Sequence, residues 1–206
     1  MCYYSKQTTD ATKLMNRFLA KMKDESLLFQ SEYFNGFEHP KTPIITNAES
    51  ELIQLFQWGL IPSWAKDGFD SAKTLNARIG ELSEKPSYSG VMHQKCLILL
   101  DGFYEWQSFN SKGELDPNGK VKKKHLITRE DNEPFAVAGL WSNWKNLKGE
   151  TIQTYTMLTT EARGIMVEIH NSKRRMPVIL KPEIENDWLL GKTTAKLFTD
   201  LVAIPV

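Results

Sequence analysis

The sequence predicts a single α+β domain over residues 1–206, with a mostly antiparallel sheet in the middle of the chain and helices towards its ends. Three observations carry this. Apolar runs of strand length follow one another between residues 96 and 160, and their short connections favour antiparallel neighbours. Near residues 14–22 and 162–169 the apolar period changes to that of a helix. No repeat, linker or low-complexity segment divides the chain.

From the N-terminus, Asp10 or a neighbouring Thr can cap a helix carrying Leu14, Phe18, Leu19 and Met22. Residues 31–46, punctuated by Gly36, Pro40 and Pro43, read as short extended pieces joined by turns. The run Leu52–Trp58 is a strand ending in a Trp58-Gly59 turn. Trp58 packs, whereas Trp64, beyond Pro62, is the better candidate for an exposed aromatic platform. Cys96 to Leu100 is a buried strand ending at an Asp101-Gly102 turn, followed by Phe103-Tyr104-Glu105-Trp106. Residues 107–124 form a hairpin excursion, with Lys122–Lys124 as a solvated face. HLITRE, PFAVAGLW and TIQTYTMLTT are three further strands. Ala162, Ile165, Met166 and Ile169 then mark an amphipathic helix that starts at Thr159 or Thr160 and ends at His170. Val178–Leu180 is a last apolar strand, Pro182 and Gly191 bracket a short helix, and Ala195, Leu197, Phe198 and Leu201 suggest a final one.

A net charge of +1 confines any nucleic-acid surface to a local patch. No apolar run approaches the ~20 residues of a membrane span. The opening MCYYSKQTTDATK lacks the apolar core of a secretory signal, so no membrane partner and a cytoplasmic location are expected. With no CxxC and four scattered histidines, neither a metal nor another cofactor is expected. A monomer is the expected state.

Of the two cysteines, Cys96 lies in the apolar KCLILL and reads as an inert core thiol, leaving Cys2 as the exposed, reactive one. Removal of Met1 would leave a thiol and a primary amine on the Cα of Cys2. Such a 1,2-aminothiol condenses with an aldehyde to a Schiff base, which the sulfur closes to a thiazolidine. The amine titrates near ~7.7–8.0 and a thiol near ~8.5, so both are partly nucleophilic at neutral pH. Position alone favours an ordinary frayed terminus. Glu105, wedged between Tyr104 and Trp106, is either a partly desolvated acid–base group with a raised pKa or an ordinary solvated carboxylate. His170, at a helix end, is in the common case structural, and the helix dipole there favours its imidazolium form.

Several blocks occur in a definite order: Met1-Cys2; Trp58-Gly59-Leu60-Ile61-Pro62-Ser63-Trp64; Asn76-Ala77-Arg78; Cys96 through Trp106; Phe135 to Trp141; and His170 with Arg175-Met176-Pro177. Together they resemble the SOS-response-associated peptidase (SRAP) family, the abasic-site-processing proteins, nearly end to end. The resemblance implies that family's fold, a curved or barrel-like, mostly antiparallel sheet flanked by helices. It also implies an activity: covalent crosslinking to abasic sites in single-stranded DNA through a thiazolidine on Cys2. Glu105 matches the acidic residue that assists sugar ring opening, proton transfer and initiator-Met removal. His170 matches the proton shuttle, and Asn76 the residue that orients the N-terminal Cys. A weak lyase activity by β-elimination is also implied. Arg78 and Arg175 match phosphate contacts, Trp64 and Trp106 match aromatics beside the strand, and Thr159 matches a further polar contact. Lys173 and Arg174 add charge that the family pattern does not include.

Four departures stand out. Tyr3-Tyr4 follow Cys2 where Gly-Arg is usual, and Leu99 replaces a usual Pro. Glu81 comes one position late, after Ile79-Gly80, and the stretch from His170 to Arg175 is longer than usual. Two other readings remain at this level. One is a cysteine peptidase or amidohydrolase with Cys2 as nucleophile and His170 as base. The other is a non-catalytic module binding single-stranded DNA or a modified base.

Overall fold

The computed structural model describes residues 2–192 and 200–206. Strand β1 (Tyr4–Gln7) leads to helix α1 (Ala11–Phe18), then to β2 (Lys21–Met22), β3 (Ser31–Asn35), β4 (Lys41–Thr46) and the long β5 (Glu49–Trp58). There follow β6 (Asn76–Arg78), the one-turn helix α2 (Pro86–Ser89), β7 (Lys95–Leu100), β8 (Gly102–Phe109), β9 (Val121–Arg129), β10 (Phe135–Lys145) and β11 (Thr151–Glu161). After these come α3 (Met166–Ile169), β12 (Arg175–Pro177), α4 (Glu185–Leu189) and β13 (Leu201–Pro205).

Strands β5, β4, β7, β10 and β11 pair in that order, each antiparallel to the next. A parallel pairing of Thr154 with Gln57 and Tyr155 with Trp58 joins β11 back to β5 and closes a mixed barrel. The second sheet runs β13-β9-β8-β1-β3 and is antiparallel throughout. This is the α+β, barrel-like arrangement expected. Strand alternation sends Leu97, Leu99, Ala136, Ala138 and Leu158 into one apolar cluster. Their neighbours Cys96, Ile98, Leu100, Val137 and Met157 enter another, shared with Phe103 and Ile127 of the second sheet. Both faces of β7 are therefore buried, which explains why KCLILL shows no polar alternation. The Trp58-Gly59 turn needs its glycine: φ is +112°, and a Cβ there would lie 2.7 Å from His39 Nδ1.

Asp101 makes the corner between β7 and β8 and fastens the chain just beyond β1. Its buried carboxylate accepts from the backbone N–H and hydroxyl groups of both Thr8 and Thr9, two of them at 2.9 Å. Charge-assisted bonds of this kind are roughly twice as strong as neutral ones. Asp101→Ala is expected to cost about 3 kcal/mol in urea unfolding, because it orphans several donors at once. Asp101→Asn, which keeps acceptor capacity on one oxygen, should cost less.

In four places the sequence reading and the structure part. Helix α1 stops at Phe18, not Met22: Leu19 turns left-handed (φ 51°) and is 88% exposed. Met22 pairs instead with Ile53 of β5. The helix expected from Thr159 is one turn, Met166–Ile169, because Thr159, Thr160 and Glu161 extend β11 and pair with β12. Inter-strand hydrogen bonding outweighs helical periodicity at both points. Val178–Leu180 is not the last strand: it is bridge structure in which Ile179 pairs with Val137, and β13 pairs with β9 beyond it. The suggested final helix over Ala195, Leu197 and Phe198 lies outside the described residues, and Leu201 opens β13.

Candidate active site

Strand β11 brings two distant motifs together. Thr159 pairs with Arg78 of β6 and with Pro177 of β12. A strand has two edges, so β6 and β12 flank β11 on opposite sides. Asn76 stands opposite Met157, and Arg175 opposite Glu161. In the second sheet, Tyr4 pairs with Tyr104, a register that carries Cys2 to the stretch of β8 holding Glu105. Helix α3 packs on β8 and ends at His170. Asn171 tethers that end: its Nδ2 donates to Ser108 O at 2.8 Å, and Ser108 N donates to its Oδ1 at 3.0 Å.

Cys2, Asn76, Glu105 and His170 converge at this junction. Asn76 Nδ2 donates to Cys2 O at 2.8 Å, leaving the buried Asn76 Oδ1 without a partner among the described residues. Glu105 is 4% exposed; its Oε1 accepts from Trp106 N at 3.3 Å and its Oε2 lies 3.6 Å from His170 Nδ1. Glu105 is therefore buried, not an ordinary solvated carboxylate. Cys2, in contrast to its expected exposure, is fully buried in the cluster with Trp58, Leu75 and Met157. Its thiol donates to Tyr4 O at 3.4 Å. Burial pushes the thiol well up, and the neighbouring Glu105 carboxylate adds to the effect. Cys96 is also fully buried and pushed well up.

His170 corrects another expectation. A four-residue helix offers little dipole, and burial dominates: the imidazole is pushed down to about 4, against the opposing pull of Glu105. The ring is neutral at pH 7. Its Nδ1 donates to Arg175 O at 2.8 Å, so the lone pair sits on Nε2. Between pH 4 and 6.5 the unfolded chain binds a proton at this position that the folded chain does not. Stability therefore falls as pH drops through that window, by about 3 kcal/mol in all. Urea titrations at several pH values should show this slope, and His170→Gln should flatten it.

Glu105 and His170 line a pocket of about 360 Å³ together with Tyr3, Tyr4, Trp106, Lys122 and Lys173; the buried Cys2 directly precedes its lining residue Tyr3. Lys173 also borders a 770 Å³ groove holding Arg78, Thr159, Arg174 and Arg175. Arg78 and Arg175 in turn belong to a 560 Å³ groove with Asn76, Phe69 and Tyr88. Shared lining residues place the three side by side as a track that carries Lys173, Arg174, Arg175 and Arg78, with Glu81 and Glu161 also in its walls. Arg78 is ion-paired with Glu81, so the late glutamate still reaches its arginine. Trp64 is 60% exposed at the rim, edge-on to Phe69, with its Nε1 donating to Pro86 O at 3.3 Å. Thr159 borders the track but is buried, its hydroxyl donating to Ala77 O at 3.3 Å.

Lys122, expected on a solvated face, stands at the pocket wall, where its Nζ donates to Ser108 Oγ at 2.5 Å. The hairpin expected over residues 107–124 was the available signal, since it returns Lys122 towards β8. Sequence reasoning passed over Tyr3 and Tyr4 as lining residues.

The family model described as SOS response associated peptidase (SRAP) matches residues 1–204. The chain is 38% identical over 152 residues to the abasic site processing protein YoqW of Bacillus subtilis, covering 73% of this chain and 63% of that protein. It is 32% identical to the abasic site processing protein HMCES of Xenopus tropicalis, over 69% of this chain and 46% of that one. The chain thus spans less than two thirds of the length of either relative. A crystal structure of a protein from Bacteroides thetaiotaomicron is similar at TM-score 0.85 and 29% identity, covering all of this chain and 92% of that one. The fold, the order of the motifs and the match over nearly every residue lead to one conclusion: the chain belongs to the SRAP family.

Proposed function

We propose that this chain processes abasic sites in single-stranded DNA by joining itself to them through Cys2. The observation that carries the reading is the convergence of Cys2, Asn76, Glu105 and a neutral His170 beside this track. The names of the relatives support the substrate.

While Met1 is attached, the Cys2 nitrogen is an amide, so hydrolysis of that bond, consuming one water, comes first. The closed abasic sugar is a hemiacetal. His170 Nε2 accepts the hemiacetal hydroxyl proton, and O4′ takes up a proton as the ring opens to the aldehyde. The Cys2 amine adds to C1′ and expels water, with Glu105 relaying the protons. Sγ then adds to the C=N carbon, its proton passes to nitrogen, and the thiazolidine closes. The net change is loss of one water, with no oxidant or reductant. Asn76 holds the Cys2 carbonyl, and its unpartnered Oδ1 can accept from the released amine. The same Schiff base permits a weak β-elimination.

Arg78, Arg175 and Lys173 engage phosphates, with Trp64 and Trp106 as stacking surfaces and Thr159 as a polar wall. Arg78→Ala is expected to weaken binding of undamaged single strands. In an anisotropy salt titration it should reduce the slope of log K against log salt by about 0.7, one phosphate contact. The reading is tested by a denaturing gel with single-stranded DNA carrying one abasic site. A heat-stable shifted band is expected from protein lacking Met1, and none on undamaged DNA. Turnover of peptide substrates without such a band would favour the amidase reading.

A further inference from the structure

The abasic nucleotide has no base to stack, so non-covalent affinity for the damaged strand must come from its neighbours. One face of the second sheet is suited to supply it. Directly opposed residues share a face, and the register places Tyr4 beside Tyr104 and Trp106 beside Lys124. Tyr33 joins them from β3: its ring stacks on Tyr4 at 4.8 Å and lies 5.1 Å from Tyr104, while Tyr4 meets the edge of Trp106 at 5.2 Å. Lys124 Nζ sits 5.4 Å from the Tyr33 ring and 5.1 Å from Tyr104. Tyr33 remains 42% exposed, so its ring is accessible to a ligand. At the far end of this face, Glu32 is neutralised by Lys6 at 2.9 Å.

We propose that this face, centred on Tyr33 with Lys124, is a stacking platform for the undamaged bases on one side of the abasic site. The inference rests on the reading of the pocket as an abasic-DNA site and extends it to the flanking nucleotides. Two observations select single-stranded DNA as the occupant. Tyr4, Trp106 and Lys122 line the pocket that holds Glu105 and His170, so the platform is continuous with it. Its positive charges, Lys122 and Lys124, match a phosphate backbone. Aromatic rings interleaved with lysines suit a strand bound without base preference.

The test is non-covalent binding of undamaged oligonucleotides, in which part of the strand carries either bases or base-free tetrahydrofuran spacers, scanned along both flanks. On one flank, wild-type protein is expected to bind the base-bearing strand about tenfold more tightly, the effect of one stacked base. Tyr33→Ala should abolish that difference, whereas Tyr33→Phe, which keeps the ring, should retain it. Lys124→Ala should lower the salt slope by about 0.7 while keeping the preference for bases. Equal affinity for base-bearing and base-free flanks, or a Tyr33→Ala variant that keeps the tenfold difference, overturns the platform. Loss of the covalent band in the wild type would instead strike the pocket reading, and the spacer comparison is independent of it.

Discussion

Cys2→Ala is expected to eliminate the heat-stable protein–DNA band completely, not merely slow its formation. Thiazolidine closure needs an amine and a sulfur on one Cα. Alanine keeps the amine and so can form only an imine, which hydrolyses under denaturing conditions. Cys96→Ala should leave the band intact, since the nitrogen of Cys96 is a backbone amide within β7 and cannot supply the amine that a thiazolidine needs. Because Cys2 sits in the core, each variant is first compared with the wild type by urea unfolding. Removing one buried sulfur costs only about 1 kcal/mol, too little to unfold the domain. A covalent band that survives in folded Cys2→Ala would assign the nucleophile to another residue.

Substitution of the acid–base pair has the next largest expected effect. Glu105→Gln and His170→Gln should each slow crosslink formation about 10²- to 10⁴-fold in single-turnover assays, the usual contribution of a positioned proton-transfer group. Their carboxylate and imidazole approach to 3.6 Å, so the double variant should lose less than the product of the two. The pH dependence follows from the neutral imidazole. With His170 at about 4, the base form is available across the physiological range, so the rate should hold on the acid side until the amine is protonated. The α-amine, near ~8, therefore sets the limb in the wild type: the rate rises with pH up to about that value. If the rate fell away below a midpoint near 6.5 that vanished in His170→Gln, the ring would be solvated and the burial argument would fail.

How much of this was legible from residues alone depends on the range of the interaction concerned. Asp10 as a cap, the buried KCLILL strand and the hairpin at 107–124 are local, and the residues declared them. The pairing of β6 with β11 is not local: nothing within Asn76-Ala77-Arg78 announces a parallel partner at Met157–Thr159. Barrel closure through Trp58 and Tyr155 is equally hidden. Periodicity alone carries the first helix on to Met22 and starts the later one at Thr159 or Thr160, because it reports which side is apolar, not which hydrogen bonds win. For the site, order of motifs named the residues, but burial decided their states. Cys2 looked exposed because termini usually fray, yet Asp101 and Gly36 hold its strand down, the latter by donating to Tyr3 O at 2.8 Å. His170 looked cationic from its place at a helix end, and only its depth reverses that.

The central claim is tested most directly by intact-mass analysis of protein incubated with an abasic oligonucleotide, followed by peptide mapping. The expected product has the mass of the chain without Met1 plus the oligonucleotide minus one water. It should survive heat without borohydride and map to Cys2. An adduct that needs borohydride trapping, that maps to a lysine such as Lys122 or Lys173, or that retains Met1 would contradict thiazolidine formation at Cys2.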